Sequence, residues 1–235
     1  MSSLDIIIWE ALGTAILILL GTGSVANTVL SKSGAKSLGA NWTTIVLGWG
    51  FGVFAGVTVA APSGSHINPA VTFGLAISGL TPWSDVPAYV TGQLIGAFTG
   101  AVLCFLAFKL LFDTNEDNSG TRGIFCTGPA VRHYGWNTVT EVIGTFVLML
   151  WVLTNSDINA GLGASGVAWV VVAIGFAMGG VTGYAINPAR DLGPRIAYAL
   201  LPIKGKGDVD WSYSWVPIVG PLIGAALAAL LVMAI

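Results

Sequence analysis

The triplet Asn-Pro-Ala occurs twice in this chain, as Asn68-Pro69-Ala70 and as Asn187-Pro188-Ala189. Asparagine favours the N-cap of a helix and proline its first turn, so each triplet predicts a helix start. Aligned peptide dipoles place about half a positive charge at such a start, and each asparagine amide adds hydrogen-bond donors. Two facing starts would repel cations and protons and donate to the oxygen of a neutral molecule. This is recognition chemistry without a covalent step.

Residues for catalysis or metal binding do not gather around the triplets. No nucleophile, base or metal constellation appears there, and Cys104 and Cys126 have neither a disulfide framework nor metal-ligand spacing. With nine Lys and Arg and a net charge of −2, the chain also offers no basic patch for nucleic acid. We therefore expect no enzyme activity, no cofactor, no metal and no nucleic-acid partner.

The composition places the chain in a lipid bilayer. Hydrophobic residues make up 54% of it and charged residues only 9%, against about 25% charged in soluble domains. Apolar runs approach the ~20 residues that cross a bilayer as helix, and no cleavable signal follows the first run. The predicted fold is an all-α membrane protein with six transmembrane helices, at about 5–30, 40–60, 85–112, 137–156, 165–182 and 213–235.

Three short patterns recur in the same order and divide the chain into two related halves. The Glu-x-x-Gly-Thr pattern at Glu10 recurs at Glu141, and the Gly-rich pattern at Gly92 recurs at Gly220. The Asn-Pro-Ala triplet is the third pattern, and it also occurs once in each half. We predict a single channel domain with a first repeat at 1–112, a linker at 113–135 and a second repeat at 136–235. Because each half holds three spans, the repeat is inverted, and such folds place their functional site near the midplane.

Between the second and third spans of each half, a short helix is predicted after the triplet, at 71–78 and 190–200. About ten residues reach only ~15 Å, half of the hydrocarbon core, so both are predicted to be re-entrant half-helices. The approach segments, 62–67 and 181–186, are expected to be extended, with carbonyls that line a cavity. The predicted pore-lining backbone comprises Gly64, Ser65, His66, Gly183, Ala185 and Ile186.

Glu10 and Glu141 are acidic residues inside predicted spans, where burying a charge costs at least ~2.5 kcal/mol. Their symmetry favours a shared structural task, in which they accept hydrogen bonds from the re-entrant loops; a proton relay is the alternative. His66 contacts the pore or pins its loop, and His133 is expected to be solvated, with a pH-sensing role as the alternative. Gly92, Gly96, Gly220 and Gly224 are interpreted as close helix-packing positions.

The segments 63–72 and 183–191 resemble the two signature loops of the major intrinsic protein (aquaporin) family, and the resemblance extends over nearly the whole chain. It implies a selectivity filter at Trp49, Gly175, Tyr184 and Arg190. Gly175 and Asp191 resemble the glycerol facilitator branch, whereas water-selective members usually have His and Ser there. In that branch, Phe is common at the position of Tyr184, and the stretch from Trp49 to Asn68 is one residue longer.

The resemblance gives each filter residue an expected role. Gly175 widens the filter, Trp49 and Tyr184 form an apolar corner for the CH groups of a solute, and Arg190 donates hydrogen bonds to two hydroxyls.

The resemblance implies a passive channel for glycerol, water and small neutral solutes, a homotetramer, and a plasma-membrane location with cytoplasmic termini. That orientation conflicts with the positive-inside rule, because it leaves almost no Lys or Arg in the inner loops. Urea, dihydroxyacetone and protonated lactic acid are further candidate solutes. The alternatives are a strictly water-selective pore and an ion-coupled secondary transporter, which also uses inverted repeats but needs titratable or cation-binding residues at its midplane.

Overall fold

The computed structural model describes residues 1–155 and 162–235. Within these residues, six helices are long and apolar enough to cross a membrane, and two shorter helices begin at the Asn-Pro-Ala triplets. The helices are α1 (Ser3–Val29), α2 (Trp42–Val59), α3 (Pro69–Ile77), α4 (Val86–Ala107), α5 (Tyr134–Thr154), α6 (Gly163–Thr182), α7 (Pro188–Leu200) and α8 (Val216–Ala234). The predicted fold class is therefore confirmed, with α3 and α7 as the half-helices.

Six crossings are an even number, so both chain ends lie on one side of the fold, which we call the termini face. The linker, residues 113–135, lies on the opposite side, which we call the linker face. The half-helix α3 runs from the centre to the termini face, and α7 runs from the centre to the linker face. Their first residues are therefore the parts of the two halves that meet in the middle.

The end of the third span differs from the sequence prediction. The third span was predicted to reach residue 112, but α4 ends at Ala107, and a separate short helix, Lys109–Asp113, follows it. Lys109 and Asp113 form an exposed ion pair one turn apart, which suits a surface helix better than a membrane span. Residue 156, the end of the fourth predicted span, lies outside the described residues.

His133 is exposed as predicted, but its ring also caps α5 by accepting the Trp136 N–H at 3.2 Å.

The glycines predicted to permit close helix packing do so at both main helix pairs. A Cβ atom on Gly96 of α4 would lie 2.2 Å from the Ala11 carbonyl oxygen of α1. A Cβ atom on Gly224 of α8 would lie 2.3 Å from the Val142 carbonyl oxygen of α5. In a bilayer no hydrophobic force drives helices together, so this close backbone approach supplies much of the association energy.

Gly96→Ala is expected to destabilise the protein, because the added methyl group meets backbone rather than a movable side chain. Overpacking of this kind costs about 1–3 kcal/mol. We expect a clear fall in the midpoint of thermal unfolding in detergent micelles. Gly180→Ala in α6 is the matched control, since a Cβ there would meet nothing within 4 Å. Equal midpoints for the two variants would show that the α1–α4 contact can open without cost.

Candidate functional site

The asparagines of the two triplets meet at the centre and are joined by reciprocal hydrogen bonds. The Asn68 amide nitrogen donates to the Ile186 carbonyl oxygen at 2.8 Å, and that of Asn187 donates to the Ile67 carbonyl oxygen at 2.9 Å. The Oδ1 atom of each asparagine accepts the N–H group two positions further along its own half-helix, at 2.8 and 3.0 Å. Each side chain thus caps its own helix, holds the other half, and keeps a second amide hydrogen for a solute.

The approach segments are shorter and less extended than predicted. Residues 62–63 belong to a 3₁₀ turn, and residues 181–182 still belong to α6. Three of the four remaining residues in each half have a positive φ angle, at matching positions. The angles are 92°, 60° and 42° at Gly64, Ser65 and Ile67, and 82°, 38° and 43° at Gly183, Tyr184 and Ile186. Four of these residues are not glycine, so the conformation is strained and must be held by its surroundings.

Two buried carboxylates hold these strained segments. Glu10 accepts the N–H groups of His66 at 3.0 Å and of Ile67 at 2.7 Å, together with Ser63 and Gln93 side-chain donors. Glu141 accepts the N–H groups of the two residues before Asn187, at 3.0 and 2.8 Å, and the Thr182 hydroxyl. Successive N–H groups that converge on one anion form a nest, which favours this backbone conformation.

The same arrangement fixes the direction of the neighbouring carbonyls. In a planar trans peptide the N–H and the preceding C=O point in opposite directions. Because the N–H groups of residues 66, 67, 185 and 186 face the two glutamates, the carbonyls of residues 65, 66, 184 and 185 face away from them. All four of these residues line the central cavity. The cavity wall therefore presents a row of hydrogen-bond acceptors.

The cavity has a volume of about 380 Å³ and is lined by residues from both halves. It extends from Trp49 and Arg190 towards the linker face, past Asn68 and Asn187, to the end of α5 at the termini face. Of the predicted backbone positions, Gly64, Ser65, His66, Ala185 and Ile186 line it. Gly183 lies instead beneath Thr127, whose Cβ would be 3.1 Å from a Cβ at Gly183.

Arg190 and Trp49 line the end of the cavity that lies towards the linker face. The Arg190 guanidinium lies over the Trp49 indole, with its central carbon 3.7 Å from the ring centroid. The indole is wedged against Gly21, where a Cβ would come within 2.2 Å of the ring. One Arg190 N–H group donates to the Phe125 carbonyl oxygen at 3.0 Å, and the other N–H groups find no protein acceptor among the described residues. These groups are available to a solute.

Tyr184 packs against Gly175 beside the cavity. A Cβ at Gly175 would lie 2.9 Å from the Tyr184 ring and 3.0 Å from Val46. Because Gly175 has no Cβ, the Tyr184 ring packs directly against α6 at this position. Tyr184 lines the cavity beside Arg190, while Gly175 lies behind the ring. The Tyr184 hydroxyl is buried without a hydrogen-bond partner among the described residues.

The linker holds Arg190 in place through a buried ion pair that the sequence prediction overlooked. Asp191 and Arg195 form a bidentate pair, at 2.7 and 3.0 Å, with both side chains fully buried. Asp191 also accepts the N–H and hydroxyl of Thr127 at 2.7 Å, and Arg195 donates to the Thr127 carbonyl at 2.9 Å. These hydrogen bonds fix the linker at Thr127, two residues after Phe125, whose carbonyl accepts from Arg190. The i,i+4 spacing of Asp191 and Arg195 was the one visible signal of the ion pair.

A second ion-pair cluster, centred on Asp210, lies on the linker face. Its carboxylate accepts a hydrogen bond from Arg132 at 3.1 Å and lies 3.3 Å from the Arg122 guanidinium. Burial alone would raise the pKa of Asp210, but the hydrogen bonds from Arg132 and Ser212 and the nearby arginine charges hold this pKa below its usual range. Because the pKa of Asp210 is lower in the folded protein, ionised Asp210 stabilises the fold at any pH above its unfolded pKa of about 4. This stabilisation is lost as the pH falls through the folded pKa. The cluster thus stays charged at neutral pH.

His66 lies at the cavity wall and is also pinned. Its Nδ1 atom is 3.1 Å from the Thr72 hydroxyl, and its ring stacks on Tyr89 with centroids 3.9 Å apart. The Thr72 hydroxyl oxygen in turn accepts from the Gln93 amide at 3.0 Å. The residue therefore combines both of the roles weighed for it, since it borders the cavity and is fixed by neighbours.

Comparisons with known proteins agree over almost the full length. A family model described as major intrinsic protein matches residues 1–232. The chain is 52% identical over 223 residues to a probable glycerol uptake facilitator protein of Thermotoga maritima, with 94% of each chain covered. It is 51% identical over 225 residues to glycerol uptake facilitator protein 3 of Lactiplantibacillus plantarum, with 94% of this chain and 93% of that one covered. The X-ray structure of the aquaglyceroporin from Plasmodium falciparum is similar with a TM-score of 0.85 at 31% identity, over 97% of this chain and 95% of that one.

Proposed function

The chain belongs to the major intrinsic protein family, and we propose on that premise that it is a passive channel conducting glycerol and other small neutral solutes together with water. The resemblance seen in the sequence is thereby confirmed, and so is a multi-pass membrane protein that transports rather than catalyses. The two relatives named above carry glycerol uptake facilitator in their names. Their high identity over nearly the whole length supports glycerol as a solute here.

The observation that carries the proposal is the stack of Arg190 on Trp49 beside the Tyr184 ring. At this end of the cavity, aromatic rings and a guanidinium with free N–H donors therefore lie side by side. A polyol has the matching surface, because one edge carries CH groups and the other carries hydroxyls. Glycerol would lay its carbon edge on the rings and accept hydrogen bonds from Arg190. Trp49, Tyr184 and Arg190 are thus the proposed filter, with Gly175 providing the seat for Tyr184.

Exclusion of ions is proposed to rest on two positive features placed in series. The half-helices α3 and α7 direct their N-termini at Asn68 and Asn187, where the peptide dipoles place positive potential. Arg190 adds a full charge nearer the linker face. Asn68 and Asn187 each retain an amide hydrogen that would orient a passing water, and the carbonyl row would guide hydroxyls along the wall.

The other hypotheses are less well supported. A strictly water-selective pore is disfavoured because the relatives are named glycerol uptake facilitators. An ion-coupled transporter needs titratable or cation-binding groups at the midplane. The described side chains that meet there are the two Asn residues, and the nearby carboxylates of Glu10 and Glu141 are occupied by backbone N–H groups. We propose loop support for both glutamates.

We further propose a homotetramer in the plasma membrane, with both termini in the cytoplasm and the two-repeat division as predicted. An apolar groove of about 140 Å³ between α2 and α6, lined in part by Phe51, Phe54 and Trp169, supports a partner helix on that side. The loop cations on the linker face oppose this orientation under the positive-inside rule. Cross-linking in membranes should give a product of four subunits. A cysteine added after Ile235 should not react with membrane-impermeant thiol reagents that are added outside intact cells.

Stopped-flow light scattering of proteoliposomes tests the proposed function. Vesicles with the protein should equilibrate glycerol much faster than empty vesicles, without saturation and without dependence on a proton or sodium gradient. Urea, dihydroxyacetone and lactic acid gradients rank the remaining solutes. Fast water flux with glycerol flux equal to that of empty vesicles would establish a water-selective pore instead. Saturable flux that follows an ion gradient would establish a transporter.

A further inference from the structure

Trp151 and Asn155 lie one turn apart at the end of α5, and both line the cavity near the termini face. This end is opposite the proposed filter, and the sequence assigned neither residue a role. Leu148, one turn earlier on the same face of α5, also lines the cavity. The last two turns of α5 therefore form one wall of the cavity.

Trp151 is held as Trp49 is held, by a glycine on the neighbouring helix. A Cβ atom on Gly166 of α6 would lie 2.6 Å from the Trp151 ring, just as one on Gly21 of α1 would lie 2.2 Å from the Trp49 ring. Each half thus seats one cavity-lining indole in a glycine notch between its first two spans, at opposite ends of the cavity. An indole packed in this way presents a fixed apolar surface.

Asn155 presents a hydrogen-bond acceptor beside that surface. Its amide nitrogen donates back to the Trp151 carbonyl at 3.0 Å and to the Thr154 hydroxyl at 3.3 Å. Asn155 lines the cavity, and its Oδ1 atom has two lone pairs with which it can accept a hydrogen bond from a molecule there. The side chain is half-buried, so solvent competes only in part.

The chemistry of this end complements that of the filter. Where α7 carries Arg190 three positions after its asparagine, α3 carries Val71, and where the second approach segment carries Tyr184, the first carries Ser65. The filter therefore offers a cationic donor, whereas the termini end offers an uncharged acceptor. We propose that Trp151 and Asn155 form a second solute-selecting subsite that takes polyols, with a solute hydroxyl donating to Asn155 and the solute carbon edge packing on Trp151. This inference rests on the proposed function.

Flux of glycerol and of the longer polyol erythritol into proteoliposomes tests the subsite. Asn155→Ala should lower glycerol flux about three- to tenfold, as for a lost neutral hydrogen bond, while water flux changes less. Trp151→Leu should raise the erythritol-to-glycerol flux ratio by a similar factor, and Trp151→Phe should give an intermediate ratio. Trp136→Leu is the control, since this indole is exposed at the other end of α5 and is not part of the cavity wall.

The outcomes separate the two proposals. If the unmodified protein conducts glycerol but Asn155→Ala and the Trp151 variants keep its flux ratios, the subsite is refuted and the channel function stands. If the unmodified protein does not conduct glycerol, both are refuted. Should Trp151→Leu fail to reach the membrane, Asn155→Ala decides the question, because it leaves the Trp151 packing intact.

Discussion

Arg190→Leu should raise sodium and proton permeability at least tenfold and lower the glycerol-to-water flux ratio. A unit charge at 4 Å in surroundings of effective dielectric 20 is worth about 4 kcal/mol, or roughly three powers of ten in the entry of a cation. A charge-assisted hydrogen bond to a glycerol hydroxyl is worth about 1.5–3 kcal/mol, so its loss slows glycerol more than water. Vesicles that contain a pH-sensitive or sodium-sensitive dye report the leak, and light scattering reports the flux ratio.

Lys204→Gln is the matched control for Arg190→Leu. It removes a positive charge from the same face of the protein, and Lys204 is exposed and not part of the cavity wall. The control should leave both the leak and the flux ratio unchanged. An intact Arg190→Leu protein that still excludes ions as well as the unmodified protein would assign all of the exclusion to the half-helix starts.

Glu141→Leu should cause a large loss of stability, because this α5 side chain accepts the hydrogen bonds that hold the second re-entrant loop. The change leaves the N–H groups of Ala185 and Ile186 and the Thr182 hydroxyl buried without an acceptor. Each unsatisfied buried donor costs about 1–3 kcal/mol, which together approaches the whole stability of a typical domain. We expect little folded protein in detergent and a steep fall in the thermal midpoint, with Glu141→Gln intermediate because it keeps one accepting oxygen.

Glu116→Gln serves as the control, because Glu116 is an exposed linker carboxylate. Glu141→Gln also distinguishes loop support from a proton relay. Loop support predicts that the variant loses stability and that its remaining folded fraction conducts normally. Normal stability combined with a changed proton flux would establish the relay.

The parts of this site that depend on short, repeated side-chain patterns could be predicted from the sequence. The Asn-Pro-Ala triplets and the paired glutamates could be found because helix capping and a buried charge each restrict the residue type strongly. The left-handed backbone at Ser65, Ile67, Tyr184 and Ile186 gave no such signal, because these residues are not glycine. It exists only because tertiary hydrogen bonds to the glutamates enforce it.

Two features of the filter depend on contacts between distant segments and could not be predicted. Phe125 holds Arg190 through a backbone carbonyl, which any residue type would supply. The space at Gly175 is filled by Tyr184, and only the positions of α6 and the second approach segment together reveal this. Trp151 was overlooked for a similar reason, because an aromatic residue near the end of a span usually marks the membrane interface.

The reciprocal bonds between Asn68 and Ile186 and between Asn187 and Ile67 impose an order on biogenesis. As the chain is synthesised, the first half emerges with its asparagine amide and its Ile67 carbonyl lacking partners that lie more than a hundred residues downstream. Polar groups left unpaired in a bilayer are costly. The first re-entrant loop therefore completes its fold only after the second half has inserted, so that channel assembly ends at the pore.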